Sequence, residues 1–216
     1  MNLVRAEFLK ALTLPSTHWL TVVVVISALT LSPLVSTGPA ETSATGTVEL
    51  LLRVLQIPIL ALGCLLAAQE VGGSQLATTL RVAPRRGRLL AAMVACTTVV
   101  GGLVSAVAAG LVARGSGGVP FGHLASASLY LVLVVCLGWA GTMITRSLVA
   151  ALAGLGSALV LMPVLAGILP AAGRLPGAAG TTLLTAEPST SDALWLLGWA
   201  ALAITGAAAT VTRRDV

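Results

Sequence analysis

The sequence predicts a single all-α integral membrane domain with six transmembrane helices, an N-terminal interfacial helix and a short cytoplasmic helix between spans two and three. Of its 216 residues, 57% are hydrophobic and only 9% are charged, whereas a soluble domain usually carries about 25% charged residues. The basic residues cluster at the ends of long apolar segments, which is typical of cytoplasmic membrane-protein loops. This placement argues against nucleic acid as a partner, despite a net charge of +5.

Six apolar segments are long enough to cross a bilayer, which requires about 20 helical residues. They lie at about residues 18–36, 50–68, 89–113, 124–145, 148–170 and 193–212. Only Arg146 and Ser147 separate the fourth segment from the fifth, which predicts a tight helical hairpin. The linkers 37–48 and 171–191 are rich in Gly, Pro, Ser and Thr and are predicted to be loops, with a short helical or re-entrant piece at about 180–184.

The distribution of basic residues predicts the orientation in the membrane. One set of span ends carries nine of them: Arg5, Lys10, Arg81, Arg85, Arg86, Arg88, Arg146, Arg213 and Arg214. The other set carries three: Arg53, Arg114 and Arg174. The positive-inside rule therefore predicts that both termini lie in the cytoplasm. An even number of spans is consistent with both termini lying on one side. The Ala-, Gly- and Arg-rich, nearly lysine-free composition is typical of a high-GC bacterium, so we expect the chain to lie in a bacterial plasma membrane.

Residues 1–17 are predicted to form an amphipathic helix on the cytoplasmic membrane surface. Three apolar side chains recur at four-residue spacing on one face: Val4, Phe8 and Leu12. Glu7 and Lys10 lie roughly opposite this face. A cleavable signal peptide is the competing interpretation, but the region before the apolar run is long for one.

The segment between spans two and three holds a third of the basic residues of the chain. Glu70 ends span two, and four residues at helical spacing follow: Leu76, Thr79, Leu80 and Ala83. Pro84 ends this pattern, because the residue before a proline disfavours the α region. The sequence therefore predicts a helix over about 74–83, held parallel to the membrane between the two spans.

Few polar or helix-breaking residues lie inside the spans, and each is a candidate for a substrate path. Arg53 lies one turn into span two, and Glu49, four residues earlier, suits an ion pair with it. An interfacial pair and a substrate-facing cation are both open interpretations. Pro58 and Pro163 interrupt helical hydrogen bonding, which either kinks a helix without further effect or opens a cavity. Trp139 lies deep in span four and either packs there or lines the path.

Small residues at four-residue spacing predict close packing between helices. Two such stripes occur, one in span three and one in span five: Gly101, Ser105 and Ala109, and Ala150 and Gly154. In a sequence this rich in alanine, such spacing is only weakly specific for helix packing.

The catalytic motifs of enzymes are absent from the sequence. Lys10 is the one lysine, and no G-x-x-x-x-G-K-[ST], H-E-x-x-H or G-x-S-x-G occurs. The three cysteines lie in apolar runs without C-x-x-C spacing, which predicts free, buried thiols and no metal site. We therefore expect no catalytic residue and no cofactor bound by this chain. An intramembrane enzyme is disfavoured, and energy for uphill transport would come from another subunit.

The segment after span two resembles that of the ABC-2 family of ATP-binding-cassette transporter permeases, in which E-x-x-x-G-(T/S)-x-x-x-(T/S)-L-x-x-x-P-x-R joins spans two and three. The matching residues are Glu70, Gly73 or Ser74, Thr78, Thr79, Leu80, Pro84 and Arg86. Residues 6–10, AEFLK, are similar to the family's opening A-E-x-x-K. The chain departs from the family in having Gly73-Ser74 for Gly-Thr and Ala92-Met93 where a lysine commonly follows the P-x-R element.

The resemblance implies a permease subunit that exports a drug, peptide or lipid-like substrate. It implies two ATPase subunits that bind ATP and Mg²⁺, a second permease copy or relative, and a coupling segment over 70–84 that contacts the ATPase. The residues implied in coupling are Glu70, Ser74, Leu76, Thr78, Thr79, Leu80, Arg81, Pro84, Arg85 and Arg86, with Glu7, Phe8 and Lys10 in the interfacial helix. The alternative function is a non-transporting membrane anchor or sensor that recruits a cytoplasmic partner through the same arginines.

Overall fold

The computed structural model describes residues 3–37, 44–71, 86–114, 120–166, 168, 174–184 and 190–213, and these residues are helical almost throughout. They form eight helices: α1 (Leu3–Thr13), α2 (Pro15–Thr37), α3 (Ala44–Val71), α4 (Arg86–Arg114), α5 (Phe121–Thr145), α6 (Leu148–Ala166), α7 (Pro176–Thr182) and α8 (Thr190–Arg213). The all-α prediction is therefore confirmed for this part of the chain.

Six of the helices are long and apolar enough to cross a membrane, in agreement with the six predicted segments. The apolar stretches are Pro15–Pro33, Val48–Val71, Gly87–Arg114, Phe121–Thr145, Leu148–Leu165 and Thr190–Val211. The protein is thus a multi-pass helical membrane protein by length and composition. The helix of the second span begins at Ala44, so the predicted 37–48 loop is too long at its C-terminal end.

The helices α5 and α3 form the centre of the bundle. In their apolar stretches 72% and 61% of the residues are buried, against 17%, 11% and 22% for α2, α6 and α8. The peripheral helices nevertheless carry apolar side chains on their open faces, such as Val149 and Leu194. A helix that is apolar all round is typical of a lipid environment, so these faces are suited to contact with acyl chains.

Glycine residues allow α3 and α5 to cross so closely that their backbones are in contact. A Cβ atom at Gly63 would overlap the carbonyl oxygen of Val135, and one at Gly138 would lie 2.7 Å from the carbonyl oxygen of Leu60. Small residues at such a crossing gain van der Waals contact between backbones. The stripe predicted in span three also packs inward, because a Cβ at Gly101 would lie 2.8 Å from the Val135 side chain.

The stripe predicted in span five does not pack against another helix in the described part of the bundle. Ala150 is exposed, and a Cβ at Gly154 would meet nothing within 4 Å. Close packing at these two positions was therefore a wrong prediction for the single chain. The cause is that α6 lies at the periphery, where alanine and glycine spacing carries no packing information.

The tight hairpin predicted between spans four and five is confirmed. Arg146 adopts a left-handed conformation with φ of 56° and ψ of 21°, and its N–H donates to the Thr142 carbonyl at 2.8 Å. The Ser147 hydroxyl then accepts from the N–H of Ala150 at 3.3 Å, which caps the start of α6. Two residues are thus enough to reverse the chain.

The N-terminal helix is shorter than the predicted 1–17. It ends at Thr13, and α2 begins at Pro15. Proline is favoured in the first turn of a helix and disfavours helical geometry at the preceding residue, so Leu14 becomes the break. The chain therefore enters span one through a sharp junction, three residues earlier than predicted.

The linker before span six contains a buried helix, α7, rather than loop alone. Four consecutive residues at 177–180 are buried, as are Leu183 and Leu184 beyond the helix. A Cβ at Gly180 would overlap the ring of Tyr130. The predicted short piece at 180–184 therefore exists as a helix that begins four residues earlier and ends two residues earlier. Its buried residues pack against the bundle.

Candidate functional site

An ion pair joins the N-terminal helix to the end of the second span. Lys10 Nζ on α1 contacts Glu70 Oε1 on α3, although sixty residues separate the two in sequence. The Glu70 side chain is 6% exposed and that of Lys10 is 32% exposed. A buried carboxylate is costly unless it is paired, so Lys10 is what permits Glu70 to lie inside the bundle.

A second polar contact ties the same end of α3 to the start of α2. Gln69 Nε2 donates to Ser16 Oγ at 2.8 Å. The end of α3 therefore contacts the helices on both sides of the break at Leu14. Gln69 contacts α2 and Glu70 contacts α1. We call Glu7, Lys10, Gln69 and Glu70 the α1–α3 cluster.

A small cavity of about 20 Å³ lies within the α1–α3 cluster, a volume sufficient for one water molecule. Its lining includes all four cluster residues and, from the spans, Met93, Cys96, Thr97 and Trp139. Glu70 Oε2 is buried and has no hydrogen-bond partner among the described residues. One carboxylate oxygen is therefore paired with Lys10, while the other remains available as an acceptor.

Glu7 adds a second carboxyl group to this cavity. Burial raises the pKa of Glu7, the negative charge of Glu70 raises it further, and Lys10 lowers it. Lys10 and Glu7 thus face the bundle interior together with the buried Ala11. Both faces of α1 therefore make contacts with the bundle: Phe8, on the predicted apolar face, packs against the core, and Lys10, roughly opposite, is the counter-ion of the buried Glu70 carboxylate.

The α1–α3 cluster brings together residues from two segments that are distant in the sequence. Glu7 and Lys10 come from the predicted interfacial helix and Glu70 from the start of the predicted coupling segment. Phe8, which the sequence also assigned to the interfacial helix, is half-buried and packs against the core. The remaining predicted coupling residues, from Ser74 through Arg85, lie outside the described residues, and Arg86 is described only as the first residue of α4.

A second charged site lies toward the other end of α3. Arg53 Nη2 contacts Glu49 Oε1 one turn earlier, as the four-residue spacing predicts. Arg53 and Pro163 line one cavity of about 230 Å³ between α3 and α6, which we call the Arg53 cavity. Trp139 lies instead at the α1–α3 cluster, and Pro58 is half-buried in α3 outside the lining of either cavity. The four predicted substrate-path residues are therefore divided among different places.

A buried hydrogen bond beside the Arg53 cavity was missed by sequence analysis. The hydroxyl of Tyr130 on α5 donates to Gln56 Oε1 on α3, and both side chains are buried. Two signals were available, since Tyr130 is the one tyrosine of the chain and Gln56 is a polar residue inside a span. Neither signal indicates a partner, because the two residues lie 74 positions apart.

Aromatic side chains on α8 hold the segment that precedes α7. The Arg174 guanidinium lies over the Trp195 ring, 5.4 Å from its centroid, and Trp199 Nε1 donates to the Arg174 carbonyl at 2.8 Å. A cation over an aromatic face is attracted by the ring quadrupole. This arrangement holds Arg174 against α8.

The described residues contain no group of three or more His, Cys, Asp or Glu side chains that could hold a metal ion. The three cysteines are buried free thiols, as the sequence predicts. The two ion pairs found among the described residues lie in the α1–α3 cluster and beside the Arg53 cavity, toward opposite ends of α3.

No protein-family model matches this chain, and no curated protein is significantly similar to it. The fold and its polar sites define the class as a multi-pass helical membrane protein.

Proposed function

We propose that this chain is the transmembrane permease subunit of an ATP-driven ABC exporter in a bacterial plasma membrane, with both termini in the cytoplasm. Six candidate spans and the nine-to-three distribution of basic residues support this assignment. The similarity of residues 6–10 and 70–86 to ABC-2 permeases supports it further. The proposed substrate is a drug, peptide or lipid-like molecule.

The ion pair between Lys10 and Glu70 carries the proposal. Each residue belongs to one of the two family-like motifs, and the fold brings these motifs into contact. A docked element transmits motion only when it is attached to the bodies that move. A force on the segment that begins after Glu70 would act on α3 directly and on α1 through Lys10.

Energy for transport would come from partner chains. The sequence has no P-loop, so ATP and Mg²⁺ would be bound by two ATPase subunits that contact the 70–84 coupling segment. A second permease, identical or related, would complete the path across the membrane. Closure of the ATPase pair would then move the coupling segment and, with it, the α1–α3 cluster.

Affinity purification of the full chain from its own host tests this proposal, with a tag at Val216. We expect a P-loop ATPase to co-purify in a fixed ratio to the tagged chain. Recovery of the tagged chain with other cytoplasmic partners but no ATPase would support the anchor or sensor function instead and contradict the exporter.

Variants in the coupling segment test the route of coupling in the purified complex. Thr79→Pro, and the double substitution of Arg85 and Arg86 by alanine, should reduce substrate-stimulated ATP hydrolysis. Arg146→Asn, at an exposed arginine of the hairpin on the same side, is the control and should retain it. Undiminished stimulation in the coupling-segment variants would contradict the assignment of this segment.

A further inference from the structure

The Arg53 cavity has the size and lining of a site for an amphiphile. Its volume of about 230 Å³ exceeds the roughly 150 Å³ of an apolar cavity known to bind benzene. Two polar residues line it, Arg53 and Gln56, and the remaining lining is apolar: Val54, Leu159, Val160, Pro163 and Val164. A ligand that fits would have a polar head and a hydrocarbon body.

The polar groups of the Arg53 cavity are hydrogen-bond donors. A guanidinium has five N–H groups and no acceptor, and Glu49 contacts Nη2 of Arg53. The amide oxygen of Gln56 is already occupied by the Tyr130 hydroxyl, which leaves its NH₂ group. Donors of this kind match acceptor oxygens, and Arg in particular matches phosphate.

The depth of Arg53 agrees with a phosphate group of the bilayer. Arg53 lies seventeen residues before Glu70 on α3, or about 25 Å at 1.5 Å per residue. The hydrocarbon core is about 30 Å thick. If Glu70 lies near one boundary of the core, Arg53 therefore lies near the other, where lipid phosphates begin.

The cavity is open sideways to the bilayer. Three of its apolar lining residues are more than half exposed: Val54, Val160 and Val164. An acyl chain could therefore lie against α6 while its headgroup remains at the Arg53 level. Entry from the leaflet requires no movement of the central helices.

The order of charges along α3 indicates which lipid headgroup would fit the Arg53 cavity. Glu49 lies one turn nearer the start of α3 than Arg53, about 6 Å farther toward the headgroup side. We propose that the Arg53 cavity binds a bilayer phospholipid with a zwitterionic ammonium headgroup of the ethanolamine type. Its phosphate accepts from Arg53 and Gln56, its ammonium contacts Glu49, and one acyl chain lies on α6. This proposal does not depend on the exporter function.

Native mass spectrometry of the purified full chain tests the proposal, with phosphatidylethanolamine and phosphatidylglycerol added in equal amounts. The wild type should retain phosphatidylethanolamine preferentially. Arg53→Gln should weaken retention of both lipids about tenfold or more, because a hydrogen bond to a charged group is lost. Glu49→Gln should reverse the preference in favour of phosphatidylglycerol. Arg114→Gln removes an exposed arginine at the same side of the bundle and should change nothing.

A substitution that fills the Arg53 cavity gives a second, independent test of lipid binding. Val160→Phe should displace the lipid, whereas Val149→Phe, on an exposed position of the same helix, should not. Unchanged helical circular dichroism would show that the variants are folded. Equal lipid retention by the wild type, Arg53→Gln and Val160→Phe would overturn the site. A wild-type preference for phosphatidylglycerol would overturn the headgroup assignment.

Discussion

The two ion pairs found among the described residues both involve α3 but do different things. Glu49 and Arg53 are four residues apart, and their contact stabilises one helix locally. Lys10 and Glu70 are sixty residues apart, and their contact joins two helices. The first follows from helical spacing and needs no tertiary structure, whereas the second exists only because the bundle places α1 beside the end of α3. The long-range pair should therefore depend on the position of α3, and the local pair should not.

Moving α3 is the most direct test of this difference between the two ion pairs. Gly63→Ala places a Cβ against the Val135 carbonyl oxygen, so α3 must shift away from α5. We expect destabilisation of about 3 kcal/mol, the upper end for overpacking, because backbone cannot yield as a side chain can. The free energy of unfolding in mixed detergent micelles measures this destabilisation. The same substitution should also separate Lys10 from Glu70.

Gly102→Ala is the matched control for that substitution. A Cβ at Gly102 would lie 3.8 Å from the Val132 side chain, which is an ordinary contact. Since alanine is favoured over glycine inside a helix by about 1 kcal/mol, this variant should be as stable as the wild type or slightly more so. Equal effects at the two glycines would contradict a backbone crossing at Gly63.

Removing the counter-ion of Glu70 should have the next largest effect. Lys10→Met leaves a buried carboxylate unpaired, which should lower the free energy of unfolding by about 2–3 kcal/mol. This value lies below that of a fully buried pair because Lys10 is partly exposed. In a double-mutant cycle, Glu70→Gln should recover most of the loss. Additive effects of the two substitutions would show that the side chains do not interact.

The raised pKa of Glu7 predicts a dependence of stability on pH. The folded state holds the Glu7 proton more tightly than the unfolded state does, so the stability that this proton contributes is present at low pH. It is lost as the pH rises from the ordinary carboxyl range through the raised pKa. Glu7→Gln should flatten this slope and should be more stable than the wild type at neutral pH. An unchanged slope in urea or SDS titrations at several pH values would place Glu7 outside the α1–α3 cluster.

The local pair should matter least to stability. Arg53→Gln should lower the free energy of unfolding by about 0.5 kcal/mol or less, as for exposed pairs at this spacing. The Glu49 carboxylate that would lose its partner is 22% exposed, against 6% for Glu70, so water can solvate it more readily. A loss as large as that of Lys10→Met would remove the distinction between the two pairs.

The same distinction explains which features the sequence could predict. The six spans, the hairpin at Arg146 and the Glu49–Arg53 pair depend on residues close together in the chain, and each was predicted. The Lys10–Glu70 and Gln56–Tyr130 contacts depend on how distant helices pack, which apolar periodicity does not encode. The break at Leu14 could have been predicted from Pro15. A short helical piece was predicted near α7, but its bounds and its burial were not, since the short Ala- and Gly-rich sequence has no distinct periodicity.

ATP hydrolysis by the complex purified with its partner ATPase, reconstituted in liposomes, tests the proposed role of the Lys10–Glu70 pair most directly. Lys10→Glu and Glu70→Lys should each reduce substrate-stimulated hydrolysis, because like charges would then separate α1 from α3. The double exchange restores opposite charges and should recover much of the stimulation. Full stimulation in both single variants would contradict a role for this pair in coupling.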